Sequence, residues 1–139
     1  MGPELVDYLL YEPEESGILW IKFNRPERLN ALQGLAGAES TMAKVGEYMR
    51  AGDADPNIRV IVLTGVGKAF CAGADMKSKA IKQLSDPGVD ASRQHFSEHF
   101  TPLFRDISNI RKPTIAMING AAVGAGLDMS LHCDIRLGC

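Results

Sequence analysis

Two short apolar runs without a charge, Val60 to Thr64 and Thr114 to Ile118, set the frame of the chain. Each is too short for a typical buried helix and is bounded by turn signals, the pattern of a central parallel strand. A third run, Ile18 to Phe23, alternates, with Ile18, Trp20 and Lys22 on one face and Leu19, Ile21 and Phe23 on the other. Apolar residues on both faces predict a strand covered on both sides. The β-rich stretch Leu5 to Tyr11 precedes it across Pro13-Glu14-Glu15-Ser16-Gly17, so the two read as a hairpin with a loop rather than a two-residue turn. Asn24-Arg25-Pro26 then breaks the strand, because Pro26 cannot continue its ladder.

Helical periodicity occupies the intervals. Met42, Val45 and Met49 recur at three- and four-residue spacing and predict a helix from about Leu35 to Arg50. Gly34, Gly37 and Gly46 argue against its being straight, and Gly52-Asp53-Ala54-Asp55-Pro56-Asn57 stops it. Strand, helix and strand in this order predict a right-handed βαβ unit. A second helix is expected to begin near Met76 and to end at Ser85-Asp86-Pro87-Gly88. A longer one, from about Ser92 to Asn109, carries the stripe Phe96, Phe100, Leu103, Phe104 and Ile107. Pro102 falls inside it and is expected to kink or break it. Asp134-Ile135-Arg136-Leu137 reads as the start of a further strand. With Cys139 following so soon, the chain is expected to be the N-terminal portion of a longer α/β fold, truncated at its C-terminus.

Two stretches of small residues interrupt this framework. Ile115 to Asp134 reads as a buried strand, a tight Asn119-Gly120 turn, a glycine-rich bend, and a helix opening near Ala125 with Asp128 in its first turn. Ala69 to Lys77 has the same character, small residues followed by a helix start, with Lys77 as a local cation. A strand running through small residues into a helix N-terminus leaves unpaired N–H groups and the positive end of the helix dipole facing outward, where an oxyanion can be stabilised. The plain structural alternative stays open for each stretch taken alone. Gly and Ala at such a bend allow close packing, Asp in a first turn pairs with the dipole, and Lys77 is a solvated cation.

Composition narrows the chemistry. The chain has 139 residues, 45% hydrophobic and 23% charged, enough for one core, so residues 1–139 read as one incomplete domain. A net charge of −2 without a Lys/Arg stripe predicts no nucleic-acid or anionic-membrane partner, and any anion site must be local. Neither a signal-peptide pattern nor an apolar run of transmembrane length is present, and a cytoplasmic location is expected. Cys71, Cys133 and Cys139 lack CxxC spacing and are odd in number, which excludes a disulfide framework and a Cys-rich zinc site. Cys71 and Cys133 read as small buried hydrophobes. Gly65-Val66-Gly67-Lys68 is not a phosphate loop, since the first glycine is missing and Ala69 follows the lysine. Gly124-Ala125-Gly126 lacks the third glycine of a dinucleotide fingerprint, Met129 standing in its place. His95-Phe96-Ser97-Glu98-His99 matches the HxxEH spacing of inverted zinc proteases, but a five-residue pattern recurs by chance, and no metal is expected. His132 reads as a helix-end residue rather than a ligand or base.

Three blocks also carry a likeness: Asn24 to Leu32 (NRPERLNAL), Val60 to Met76 (VIVLTGVGKAFCAGADM) and Ile118 to Arg136 (INGAAVGAGLDMSLHCDIR). They resemble, in order and spacing, the three successive signatures of the crotonase superfamily, the enoyl-CoA hydratase/isomerase family. The resemblance implies a spiral of repeated ββα units, assembly as a homotrimer or dimer of trimers, and action on acyl-CoA thioesters in fatty acid metabolism. It implies no separate cofactor, coenzyme A being part of the substrate. The positions matching the family's oxyanion-hole amides are Ala74 and Ala125. Ala72, Gly73, Ala74, Asp75, Lys77 and Gly124 match the lining of the CoA and acyl path, and Arg28 the neighbourhood of the CoA phosphates. Asp128 stands where hydratases of the family carry their first catalytic Glu; in this it resembles dienoyl-CoA isomerase members, and a shorter carboxylate reaches less far. The family's second acid would lie beyond Cys139. A lyase or isomerase is therefore expected of the family, residues 1–139 alone are expected to be inactive, and a non-catalytic CoA-binding or assembly role is the alternative.

Overall fold

The computed structural model describes residues 2–34, 37–78 and 93–138. Strands β1 (Leu9–Pro13) and β2 (Ile18–Phe23) form the expected antiparallel hairpin. β1 begins later than the pattern suggested, with Val6 and Leu9 forming an isolated bridge before it. Strands β3 (Val60–Gly65) and β5 (Thr114–Ile118) are the two uncharged apolar runs, and both lie inside the sheet. With β7 (Ile135–Gly138) they complete a five-stranded sheet of order β1-β2-β3-β5-β7, in which every pair but the first is parallel. Two short strands, β4 (Ala69–Cys71) and β6 (Ala121–Ala122), leave this sheet and pair with each other. The chain therefore repeats a motif: a long strand in the main sheet, a short strand outside it, then helix.

Helix α1 (Thr41–Ala54) starts later than its periodicity predicted. Ser40 is its N-cap, its side chain accepting the Ala43 N–H, which fixes the start more sharply than hydrophobic spacing does. The first residues of the expected helix, Leu35 and Ala36, lie outside the described residues, as do most of the helix expected after Met76 and the loop at Ser85 to Gly88. Met76 and Lys77 form a turn closed by the Ser78 N–H on the Asp75 carbonyl. The long helix expected up to Asn109 is described from Arg93 and is not uniform: Phe96–Phe100 is a π-helical turn, and α2 (Thr101–Ser108) follows it. Pro102 thus lies in the first turn of α2, directly after the π-helical turn, where its missing N–H and its ring interrupt the regular α-helical bonding of an otherwise continuous helix. Helix α3 (Ala125–His132) opens where the glycine-rich bend predicted.

The core lies on one face of the sheet. Leu19, Ile21 and Phe23 of β2 and Ile61 and Leu63 of β3 are fully buried together with Met42, Val45, Tyr48 and Met49 of α1 and Leu103 and Ile107 of α2. Phe23 meets Phe70 edge to face, ring centroids 5.5 Å apart. The other face of β2 corrects the expectation of a strand covered on both sides: among the described residues Ile18, Trp20 and Lys22 are only half-buried. Polar pairing keeps that face tenable in water. Trp20 Nε1 donates to Glu14 at 2.8 Å, and Lys22 pairs with Glu12 while lying 5.6 Å over the Trp20 ring. No described helix is long and apolar enough to cross a membrane.

Candidate active site

The short strands bring the two small-residue stretches together. Ala69 pairs with Ala121 and Cys71 with Ala122, and the Val123 N–H continues the contact by donating to the Cys71 carbonyl at 2.9 Å. Beyond this point glycine is a steric requirement. Gly73 has φ +80°, and a Cβ there would lie 2.6 Å from the Val123 oxygen and 3.7 Å from Gly124 Cα. A Cβ on Gly126 would lie 2.5 Å from the Cys71 oxygen, so α3 rests directly on β4. Gly73 is thereby packed against Val123 and Gly124, fifty positions along the chain.

The directions of the amides follow from their neighbours. The Gly73 carbonyl accepts the Leu32 N–H at 2.8 Å. Across a trans peptide the Ala74 N–H points the opposite way, out of the Leu32 pairing. Ala125 is the first residue of α3, whose opening N–H groups have no acceptor within the helix. Among the described residues, the loop and cap bonds nearby use the amides of Leu32, Ala72, Val123, Gly126 and Asp128, and neither that of Ala74 nor that of Ala125. Ala125 is 8% exposed and Ala74 half-buried, so both donors stand in a partly desolvated position.

Two asparagines that sequence reasoning missed hold the scaffold. Asn30 is buried, in the left-handed region at φ +57°, and its Nδ2 donates to the carbonyls of Val66 (3.0 Å) and Ala69 (2.8 Å) while Oδ1 accepts the Arg25 N–H at 2.8 Å. Asn119, half of a tight turn by its sequence, does more than turn the chain. Its Nδ2 donates to Gly65 (2.9 Å), Gly67 (2.8 Å) and Ala69 (3.3 Å), and its Oδ1 accepts the Gly65 N–H at 3.1 Å. Both side chains thus satisfy the carbonyls of the turn between β3 and β4, from opposite sides in sequence. The available signal was an Asn at the end of an apolar strand or beside a left-handed turn, where its amide mimics a neighbouring strand.

The remaining candidates are placed as follows. Ala72 is half-buried and donates its N–H to the Leu29 carbonyl. Gly124, at φ 54° and ψ −129°, is the N-cap of α3. Asp75 is turned inward: its carboxylate meets Arg25 Nη2 at 3.3 Å and accepts the Lys77 N–H at 3.1 Å. Lys77 and Arg28 are exposed. Asp128 lies in the first turn of α3 and is exposed. Cys71 and Cys133 are buried, and burial pushes each thiol up to about 11, so both stay protonated at neutral pH. His95 and His99 do approach, ring centroids 4.6 Å apart, and burial lowers the His95 pKa. Among the described residues no cluster of three or more His, Cys, Asp or Glu side chains is arranged to hold a metal. His99 and Glu98 instead line a groove of about 340 Å³ between α1 and α2. His132 ends α3 and stacks on Phe104 at 4.9 Å.

Two loops rich in Gly and Ala thus lie side by side against a mixed sheet, with Asp128 in the first turn of the adjoining helix. The family model for enoyl-CoA hydratase/isomerase matches residues 13–138, and the chain belongs to that family. It is 34% identical over 122 residues to 1,2-epoxyphenylacetyl-CoA isomerase of Escherichia coli (strain K12), covering 87% of this chain and 44% of the relative. It is 39% identical over 121 residues to (E)-benzylidenesuccinyl-CoA hydratase of Thauera aromatica, covering 86% of this chain and 43% of the relative. Among solved structures, an enoyl-CoA hydratase/isomerase (crotonase) from Legionella pneumophila superposes with a TM-score of 0.80 at 30% identity, covering 96% of this chain and 48% of that one. The chain spans less than half the length of these relatives.

Proposed function

We propose that the protein binds the thioester of an unsaturated acyl-CoA, holds its carbonyl oxygen between the N–H groups of Ala74 and Ala125, and hydrates or isomerises the acyl group with Asp128 as acid/base. The observation that carries this reading is the contact of Gly73 with Val123 and Gly124, which lays the two amide-bearing stretches side by side. Donors fixed before the reaction stabilise an enolate oxygen as it develops, and one such donor is worth about 3–4 kcal/mol. Polarising the thioester acidifies the C–H beside it and activates a conjugated double bond toward water. Asp128, held by its own N–H on the Gly124 carbonyl at 3.0 Å, then has a proton to move at that position. Arg28 and Lys77, both exposed cations on the flanking loops, suit the phosphates of coenzyme A.

An Asp at position 128, as in the dienoyl-CoA isomerase members the chain resembles, suits isomerisation of a dienoyl-CoA within this reading, beside hydration. The recurrence of long strand, short strand and helix suits a spiral of ββα units. Exposed Leu127, Leu131, Ile135 and Leu137 suit assembly of the whole protein as trimers. A second reading, a non-catalytic CoA-binding module, rests on the same geometry, since two preset N–H donors can bind a thioester carbonyl without turnover following.

Replacing Asp128 by Asn tests the mechanism. Turnover of enoyl-CoA thioesters should fall by about 10²–10⁴-fold while acyl-CoA binding stays close to wild type. Unchanged turnover would remove Asp128 from the chemistry, and binding without turnover in the wild type would favour the binding module.

A further inference from the structure

The Ala74 N–H can serve an oxyanion only if the peptide between residues 73 and 74 keeps its direction, and one side chain is placed to enforce that. Leu32 and Ala74 form an isolated parallel bridge, a single point of pairing between the loop after β2 and the loop after β4. Arg25 grips this bridge from both sides. Its Nη1 donates to the Ala31 carbonyl at 2.6 Å, one residue before Leu32, and its Nη2 meets Asp75 Oδ2 at 3.3 Å, one residue after Ala74. The side chains of Arg25 and Asp75 are 18% and 13% exposed, so the pair is largely screened from water. Arg25 is itself fixed, its N–H on Asn30 Oδ1 and its carbonyl accepting the N–H groups of Arg28 and Asn30 at 2.9 Å.

We propose that Arg25 is the positioning residue of the oxyanion site: by tying Ala31 to Asp75 with one rigid guanidinium, it holds the Leu32–Ala74 bridge and so aims the Ala74 N–H. This rests on the reading of Ala74 as an oxyanion donor. A planar fork can hold two acceptors in different directions, whereas an ammonium offers a point charge. The guanidinium has a second effect. Asp75 places a carboxylate one residue from the N–H donor that would face the developing negative charge, and Arg25 offsets it there.

The test reads carbonyl polarisation rather than turnover. But-2-enoyl-CoA labelled with ¹³C at the thioester carbonyl is bound to the protein and to Arg25→Lys, Arg25→Gln and Arg25→Gln/Asp75→Asn, with circular dichroism reporting folding and calorimetry reporting affinity. In the wild type the carbonyl stretch should move to lower frequency on binding. Both single variants should bind within a few-fold of wild type and lose most of that shift; the double variant, freed of the uncompensated carboxylate, should recover part of it. A wild-type shift retained in both single variants would overturn the role of Arg25 and leave the proposed function intact. No shift in the wild type would overturn the proposed function itself, and the inference with it. Failure of Arg25→Lys and Arg25→Gln alike to fold would make Arg25 a determinant of the fold and overturn the positioning role.

Discussion

Gly73 shows how much of the candidate site rests on single atoms. Its backbone is in the left-handed region and its missing Cβ is the space that the Val123 carbonyl fills. An alanine there meets both obstacles, and neither can yield cheaply because the neighbour is backbone. Gly73→Ala should destabilise the protein by at least about 1–3 kcal/mol in chemical denaturation and abolish the bound-thioester carbonyl shift. Gly138→Ala, where nothing lies within 4 Å, is the control and should be near neutral. At this scale the sequence was informative about which residues are small, since Gly and Ala at a strand end can be recognised without coordinates. It placed Asn119 in a turn and Arg25 at a strand break, but it did not show which groups Asn30, Asn119 and Arg25 bond. Their importance depends on which distant carbonyls they face, and one-dimensional spacing carries no trace of a partner more than thirty residues away.

Elements are joined by a few polar staples at their ends. Thr114, at the start of β5, donates its N–H and its hydroxyl to Asp134 Oδ2, both at 2.8 Å, and the Asp134 N–H returns to the Thr114 hydroxyl at 3.0 Å. This fixes the register in which β7 leaves α3 and joins β5. Hydrogen bonds from Thr114 hold the Asp134 carboxyl below its ordinary value against the opposing effect of burial. A depressed native pKa means stability present above the unfolded-state value and lost as pH falls through the native one. Asp134→Asn should therefore cost about 1–2 kcal/mol at neutral pH, a modest figure because the residue is solvent-exposed, and the difference from wild type should shrink on acidification. Denaturation midpoints across that pH range check it; a pH-independent difference would exclude the charge. The elements were legible where an uncharged apolar run lay between turn signals, as in β3 and β5, or where apolar residues recurred at helical spacing, as in the body of α1. Their ends were not, because caps and turns set ends: Ser40 begins α1, and Pro102 moves the start of α2 to Thr101.

At the scale of the whole molecule, Leu127 and Leu131, a helical turn apart on α3, and Ile135 and Leu137 on the edge strand β7 are each more than 40% exposed. Exposed apolar side chains of this size promote association where they adjoin. The chain should self-associate in sedimentation equilibrium, and Leu127→Gln with Leu131→Gln should shift it toward monomer; a wild-type monomer at all concentrations would show that these side chains do not hold copies together. Hydrophobic alternation and apolar runs were enough to specify a mixed α/β sheet with its hairpin and parallel strands, because burial acts on each residue according to its own side chain and its period along the chain. The open outer face of β2, the pairing of β4 with β6, and the approach of Gly73 to Val123 and Gly124 were decided only in three dimensions. Those features depend on the distance between atoms far apart in sequence, and close approach of two backbones is a property of the pair rather than of either segment.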